Sequence, residues 1–226
     1  AVCAVFLPRL SYYAGTQEKK KFKELASVSA GLIVSIAIPC AFGMIVLANQ
    51  AIILFSGREF LDAVSATRIL AVNLFFSAID GYLGWQILVP NRKDKVLLGA
   101  TIVGAITDFV LNLFLIPAAG INGAAAATLA AEGMVFIICL TSSVKYMEIR
   151  KFTIHLVKVV LASVPVFAVG KLVMTVTSSV LLSSVLTVIL TVIIYVAILI
   201  VLKDEFLNQV VCDVKRTLEN KEKKGD

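Results

Sequence analysis

Charged side chains are scarce in this sequence. They make up 16% of it, against 59% hydrophobic residues and a mean hydropathy of +0.96, whereas ordinary globular chains carry about a quarter charged residues. That shortage excludes a soluble globular domain, because several apolar runs reach the roughly 20 helical residues needed to cross bilayer hydrocarbon. Histidine is rarer still. His155 is the only one, so no Ser-His-Asp or Cys-His catalytic set can be assembled, and a lone interfacial histidine at the start of a span reads as structural. Cys3, Cys40, Cys139 and Cys212 are scattered, three of them in apolar runs, which leaves neither a disulfide framework nor a zinc spacing. No GxxxxGKS or GxxxxGKT run is present, so an ATP-driven transporter would need that loop on another chain. An initiator methionine and a signal peptide are also missing. With Ala1 already inside an apolar stretch, the expectation is the carboxyl-terminal portion of a longer protein.

What is present is a series of apolar runs separated by short polar breaks. Six complete spans are expected, over about 28–48, 69–89, 96–116, 121–142, 155–175 and 181–202, with residues 1–13 as the exit of an earlier span. The fold class is therefore all-α, a polytopic helical membrane bundle. The loops alternate in charge. Arg9, Lys19, Lys20, Lys21 and Lys23 lie in 9–27, Arg92, Lys93 and Lys95 in 90–95, and Lys145, Arg150 and Lys151 in 143–154. The intervening loops 49–68, 117–120 and 176–180 hold only Arg58 and Arg68, with Lys171 just below the last of them. Positive charge retained inside places the first group and the tail in the cytoplasm. The chain divides into 1–27, a span exit and basic loop; 28–142, a four-span core; 143–202, a basic loop and two spans; and 203–226, a tail. In that tail Phe206, Leu207, Val210, Val211, Val214 and Leu218 recur at helical spacing among lysines. It reads as a helix lying on the anionic inner leaflet or as a solvated charged segment.

Three acids sit near the middle of successive spans: Asp80, Asp108 and Glu132. Each costs about 2.5–3.5 kcal/mol at a helix centre on the insertion scale, so such residues usually face a bundle interior or a water-filled cavity. Their neighbours share their helix faces. Asn73, Ser77, Asp80 and Gly84 fall on one stripe, Thr101, Gly104, Asp108 and Asn112 on a second, and Ala124, Thr128 and Glu132 on a third. A shared midplane site for substrate or a coupling ion is one expectation; hydrogen bonding across packed helices, for Asn112 and Thr128 above all, is the other. Pro39, in SIAIPCAFG, removes an amide donor and crowds the Ser35 carbonyl, giving either a hinge or a static kink. The small-residue run from Gly123 to Gly133 permits close backbone approach.

The stretch LNLFLIPAAGINGAAAATLAAE, from Leu111 to Glu132, resembles the recurrent signature of the multidrug/oligosaccharidyl-lipid/polysaccharide exporter superfamily. FLPRLSYYAG with its following lysines, IPCAFGMIVLANQAIILFSGREF and GWQILVPNRKDKVLLG resemble the polysaccharide or O-antigen flippase branch, and the resemblance covers residues 1 to about 142. It implies one lobe of a two-lobed exporter around a central cavity. It implies flipping of undecaprenyl-pyrophosphate-linked glycans across the bacterial cytoplasmic membrane by alternating access, with no enzymatic step and no cofactor beyond a coupling H+ or Na+. It also implies a lipid-linked glycan and the bilayer as partners, polysaccharide polymerase or glycosyltransferases as neighbours, and no nucleic acid. Arg9, in LPRLS, matches a basic position near the cytoplasmic mouth, where it meets a pyrophosphate or serves as a plain inside-positive anchor. Acids at both Asp80 and Asp108 depart from the pattern. Two rivals remain at this stage: a cation-coupled multidrug exporter, which acidic midplane residues suit, and a membrane scaffold, which leaves those acids unexplained.

The orientation is testable. With cysteine introduced singly at Lys20, Lys93, Lys151 and Lys224, an impermeant maleimide should label none of these positions in intact cells. Cysteine at Gly57 or Ser178 should react. Outside labelling at position 93 would reverse the assignment.

Overall fold

The structure is a computed structural model that describes residues 2–177 and 179–202, with side chains from residue 6 onward. The tail helix expected over 203–226 lies outside the described residues, as does Ser178. Seven α-helices follow in order: α1 (Val2–Gly15), α2 (Lys19–Phe55), α3 (Ala63–Tyr82), α4 (Asp94–Ser143), α5 (Ile149–Ser163), α6 (Pro165–Val176) and α7 (Val180–Val201). No strand occurs among the described residues. Five continuous helical stretches are long and apolar enough to cross a membrane.

One of those five, Asp94–Tyr146, has 53 residues. A straight helix of that length would run about 80 Å, far beyond the ~30 Å of hydrocarbon. It does not run straight, because Gly120 adopts φ 53 and ψ −129, outside the helical region and in the half of the map where glycine carries no steric penalty. Pro117 stands just before it. Beyond the turn the chain doubles back. Gly104 lies against Val135 and the Ala131 carbonyl, and Gly123 lies against the Leu115 backbone. The halves 94–119 and 121–143 therefore form an antiparallel hairpin, each half long enough for one crossing.

The other crossings pack around α2. It is 37 residues long and touches α1, α3, α5, α6 and α7. The main buried cluster joins Leu10, Phe22, Val34, Ile79, Tyr82, Leu83, Cys139, Phe152, Val159 and Leu199. Each of these positions lies toward the end of its helix that the charge pattern assigns to the cytoplasm. Polar ties reinforce the packing. The fully buried Tyr82 hydroxyl donates to the Ala26 carbonyl at 2.8 Å and meets Ser29 Oγ at 2.6 Å.

At Pro39 the freed carbonyl finds a partner. The Ser35 carbonyl that the missing amide would have occupied accepts the Tyr195 hydroxyl from α7 at 2.8 Å. His155, expected at an interface, is instead buried between helices. Its Nε2 lies 2.9 Å from Ser35 Oγ and 3.0 Å from the Gly31 carbonyl oxygen. It stays structural, but as a tie between α5 and α2 rather than as a headgroup-level residue, because α5 begins at Ile149, a turn and a half earlier than the apolar run alone indicates. α5 and α6 form one crossing bent at Pro165, which starts α6.

The hairpin yields a stability test. A Cβ at Gly123 would sit 1.9 Å from the Leu115 carbonyl oxygen, a backbone atom that cannot step aside, whereas a Cβ at Gly99 meets nothing within 4 Å. Gly123→Ala should destabilise the full-length protein by about 1–3 kcal/mol, the range for overpacking, and lower its melting temperature in detergent. Gly99→Ala should leave the melting temperature unchanged or raise it. Equal behaviour of the two variants would contradict the hairpin contact.

Candidate functional site

The acids converge because of the hairpin. α3 and both halves of α4 enclose a cavity of about 430 Å3, with Asp80, Asp108 and Glu132 in its lining. Asp80 comes from α3, Asp108 from the descending half of the hairpin and Glu132 from the returning half. Ser77, Thr101, Gly104 and Thr128, members of the three stripes, line the same space. Gly84 does not; it packs on the Leu97 side chain instead. Asn73 and Asn112 lie outside the lining, and both are half-buried with their Oδ1 atoms unpartnered. Pro39 lies in a separate apolar groove, and Arg9 is exposed on α1, away from the cavity.

Two polar groupings sit within the cavity wall. Asp80 is buried, and its carboxyl and that of Glu132 line the same space from facing helices. Two ionised carboxylates sharing one wall repel each other, and a positive charge placed between them relieves that repulsion. Asp108 makes the second grouping. Asn112 Nδ2 donates to its Oδ2 at 3.1 Å, and Thr128 Oγ1, across the hairpin, donates to its Oδ1 at 3.3 Å. Thr128 and Glu132 are one turn apart on the same face, so the two groupings are separated by about 6 Å along the helix. Among the described residues no lysine or arginine lines the cavity.

Trp85 is a lining residue that helical stripes do not single out. It belongs to a π-helical turn over Leu83–Leu88 that follows α3, where the Val89 amide bonds back to the Gly84 carbonyl at 3.0 Å. The wider turn shifts the register by one residue, so a 3.6-residue period drawn from Asp80 misses this side chain. The signal available in the sequence was that it is the sole tryptophan, beside a glycine. It remains 64% exposed, which suits a ring facing an open cavity.

A second concavity, of about 600 Å3, lies between α2 and α7 and contains Pro39, Met44, Leu54, Phe55, Val188 and Val192 among its walls. It is almost wholly apolar. The chain thus offers an acidic concavity on one pair of elements and an apolar slot on another.

Comparison with known proteins places this arrangement. The family described as "Lipid II flippase MurJ" matches residues 1–196. A solved structure titled "Lipid II flippase MurJ, inward closed conformation" superposes with a TM-score of 0.76 at 19% identity, over 90% of this chain and 43% of that one; at that identity the likeness concerns the fold. The "Probable low-salt glycan biosynthesis flippase Agl15" of Haloferax volcanii is 27% identical over 128 residues, 57% of this chain and 27% of the relative. The chain therefore spans about a quarter of the length of that curated relative and less than half of the solved one. Since the family match takes in nearly every described helix, the chain belongs to the lipid II flippase MurJ family.

Proposed function

We propose that the protein containing this chain flips an undecaprenyl-pyrophosphate-linked oligosaccharide from the inner to the outer leaflet of the cytoplasmic membrane by alternating access. The observation that carries the reading is the pairing of a polar cavity at Asp80, Asp108 and Glu132 with a separate apolar groove between α2 and α7. A flippase must lower the cost of moving a glycan and two phosphates through hydrocarbon, which requires a hydrated polar path for the head and an apolar slot for the tail. The chemistry is non-covalent, so the reaction needs no catalytic side chain. The family membership supports flipping; both the lipid II flippase and the glycan-biosynthesis flippase carry that activity in their names.

The acids are the proposed coupling elements. An anionic substrate is repelled by ionised carboxylates, so neutralising cations belong to the cycle. A proton shared between Asp80 and Glu132 is one such cation. A Na+ ion beside Asp108 is the other, since a hard cation takes oxygen ligands, and the Asp108 carboxylate, the Thr128 hydroxyl and the unpartnered, buried Asn112 Oδ1 supply oxygens from both halves of the hairpin. Arg9, exposed at the end of α1 assigned to the cytoplasm, is proposed to meet the pyrophosphate on entry. Polysaccharide polymerase or glycosyltransferases are the proposed neighbours that consume or supply the carried glycan.

Asp108→Asn in the full-length protein keeps size and hydrogen-bonding capacity and removes the charge. Insertion should be normal, while surface glycan falls and lipid-linked precursor accumulates inside. Adding Glu132→Gln should lower export by no more than about a further twofold, because residues acting in one step are not additive. Arg9→Ala should also impair export, with Arg9→Lys restoring it only in part, since the planar fork is lost. Export at the wild-type level in all of these variants, at matched protein amount, would reduce the acids to packing. Loss of resistance to cationic drugs with glycan export intact would favour the multidrug reading, which the cation-free cavity wall also suits.

A further inference from the structure

A third concavity, unrelated to the acidic cavity or the apolar groove, opens at the end of the bundle that the charge pattern assigns to the cytoplasm. Its volume is about 440 Å3. Three segments distant in sequence build it. Tyr13 closes α1, Gln17 sits in the following turn with φ 57, and Lys19 and Lys23 begin α2. Asn91 comes from the loop between α3 and α4, and Lys145 with Tyr146 from the turn after α4.

The polar chemistry of this pocket has one sign. Three lysines, two tyrosines, a glutamine and an asparagine share the lining, and among the described residues no carboxylate lines the space. The nearby Glu18 is occupied elsewhere, paired with Lys21 at 2.5 Å. Among the described residues Lys19, Lys23 and Lys145 have no carboxylate partner. Retention of positive charge inside explains why lysines occupy this face. It does not explain why three of them, from two separate loops, are gathered around one walled cavity. Mutual repulsion opposes that gathering. The walls are also fixed: Phe22, which is buried, meets the Tyr146 ring edge-on at 6.3 Å, and Lys145 lies over the same ring at 5.0 Å.

We propose that this pocket binds a phosphate group, held by Lys19, Lys23 and Lys145 with the tyrosine hydroxyls as additional donors. Charge-assisted bonds from ammonium to phosphate oxygen are the strong ones, and lysine serves phosphate as a point charge rather than a fork. The phosphate comes from an anionic phospholipid headgroup at the inner leaflet or from a soluble phosphate in the cytoplasm; both present the same oxygens. Occupancy would reinforce the existing contact between the start of α2 and the turn after α4, two segments far apart in sequence. The inference does not depend on which substrate the protein transports.

The test uses the full-length protein and two equally charged triple variants. One removes the pocket lysines (Lys19→Gln, Lys23→Gln, Lys145→Gln); the other removes cytoplasmic lysines outside it (Lys20→Gln, Lys93→Gln, Lys95→Gln). Native mass spectrometry from mixed phosphatidylglycerol and phosphatidylcholine micelles reads retained anionic lipid. Melting in phosphatidylcholine nanodiscs, with inorganic phosphate against chloride at matched ionic strength, reads soluble phosphate. The pocket variant should lose at least about tenfold in one of the two readouts, as expected when several charge-assisted bonds are removed. The control triple should lose little, and a Lys→Arg version of the pocket triple should retain binding, which shows that charge rather than folding is at issue. Loss in the lipid arm identifies the headgroup as the source, and loss in the phosphate arm identifies the soluble anion. Equal behaviour of the pocket and control triples in both arms would overturn the proposal.

Discussion

A backbone carbonyl or amide without a partner costs several kcal/mol in hydrocarbon, where no water can substitute. That constraint organises this bundle most visibly at Pro39. The proline lies within α2, the helix on which most others lean, and strips the Ser35 carbonyl of its amide. Tyr195, 160 residues further on, restores the bond at 2.8 Å. Ser35 itself donates to the Gly31 carbonyl at 2.9 Å and contacts the buried His155. A single proline thereby fixes the approach of α5 and α7 to α2. Tyr82 does the same for α3 through Ala26 and Ser29. The lone histidine is consumed in holding this framework.

Against that framework, the acidic cavity is the place where polar groups are left facing a void rather than one another. The difference is physical. Ser29, Ser35, His155 and Tyr195 each find protein partners, and their depth is explained by the bonds they make. Asp80, Asp108 and Glu132 are costlier groups within apolar helices, and all three line one open cavity. Asp80 and Glu132 line it from facing helices, which leaves their charge to be neutralised from elsewhere. Asp108 spans the hairpin through Thr128 but retains the cavity on its open side. A bundle held by hydrogen-bonded hydroxyls would be more stable without them.

Much of the architecture was legible because membrane folding follows few rules. Crossings need about 20 apolar residues, loops carry the charge, and both signals are strong in 59% hydrophobic sequence. The reversal at Gly120 fell in the loop placed at 117–120, and the helical period put Asp80, Asp108 and Glu132 on the faces they occupy. What period alone cannot supply is which face meets which. Asn73 and Ser77 share a stripe, yet only Ser77 reaches the cavity, and Asn73 lies one turn beyond it. The π-helical turn moved Trp85 out of the expected register, and Pro165 divided a run that hydropathy reads as unbroken. His155 was placed at the interface since its helix begins before the apolar run does. Each miss arises where a local break or a partner far along the chain overrides a regular repeat.

The incompleteness of the cavity has a consequence for the proposed cycle. The chain spans 43% of the solved relative, and the wall it contributes carries three acids and, among the described residues, no cation. A pyrophosphate cannot be held by such a wall alone, because the interaction is repulsive at every separation. On the proposed reading, Arg9 meets the substrate at entry, while positive charge facing this cavity therefore has to come from outside this wall, which supplies the group that responds to a coupling cation. The two halves of the task would then be physically separate. A cation entering beside Asp108 or between Asp80 and Glu132 would remove the repulsion between this wall and the substrate, which gives the ion a differential effect on the substrate-bound state. Such a difference is the minimum any coupling mechanism requires.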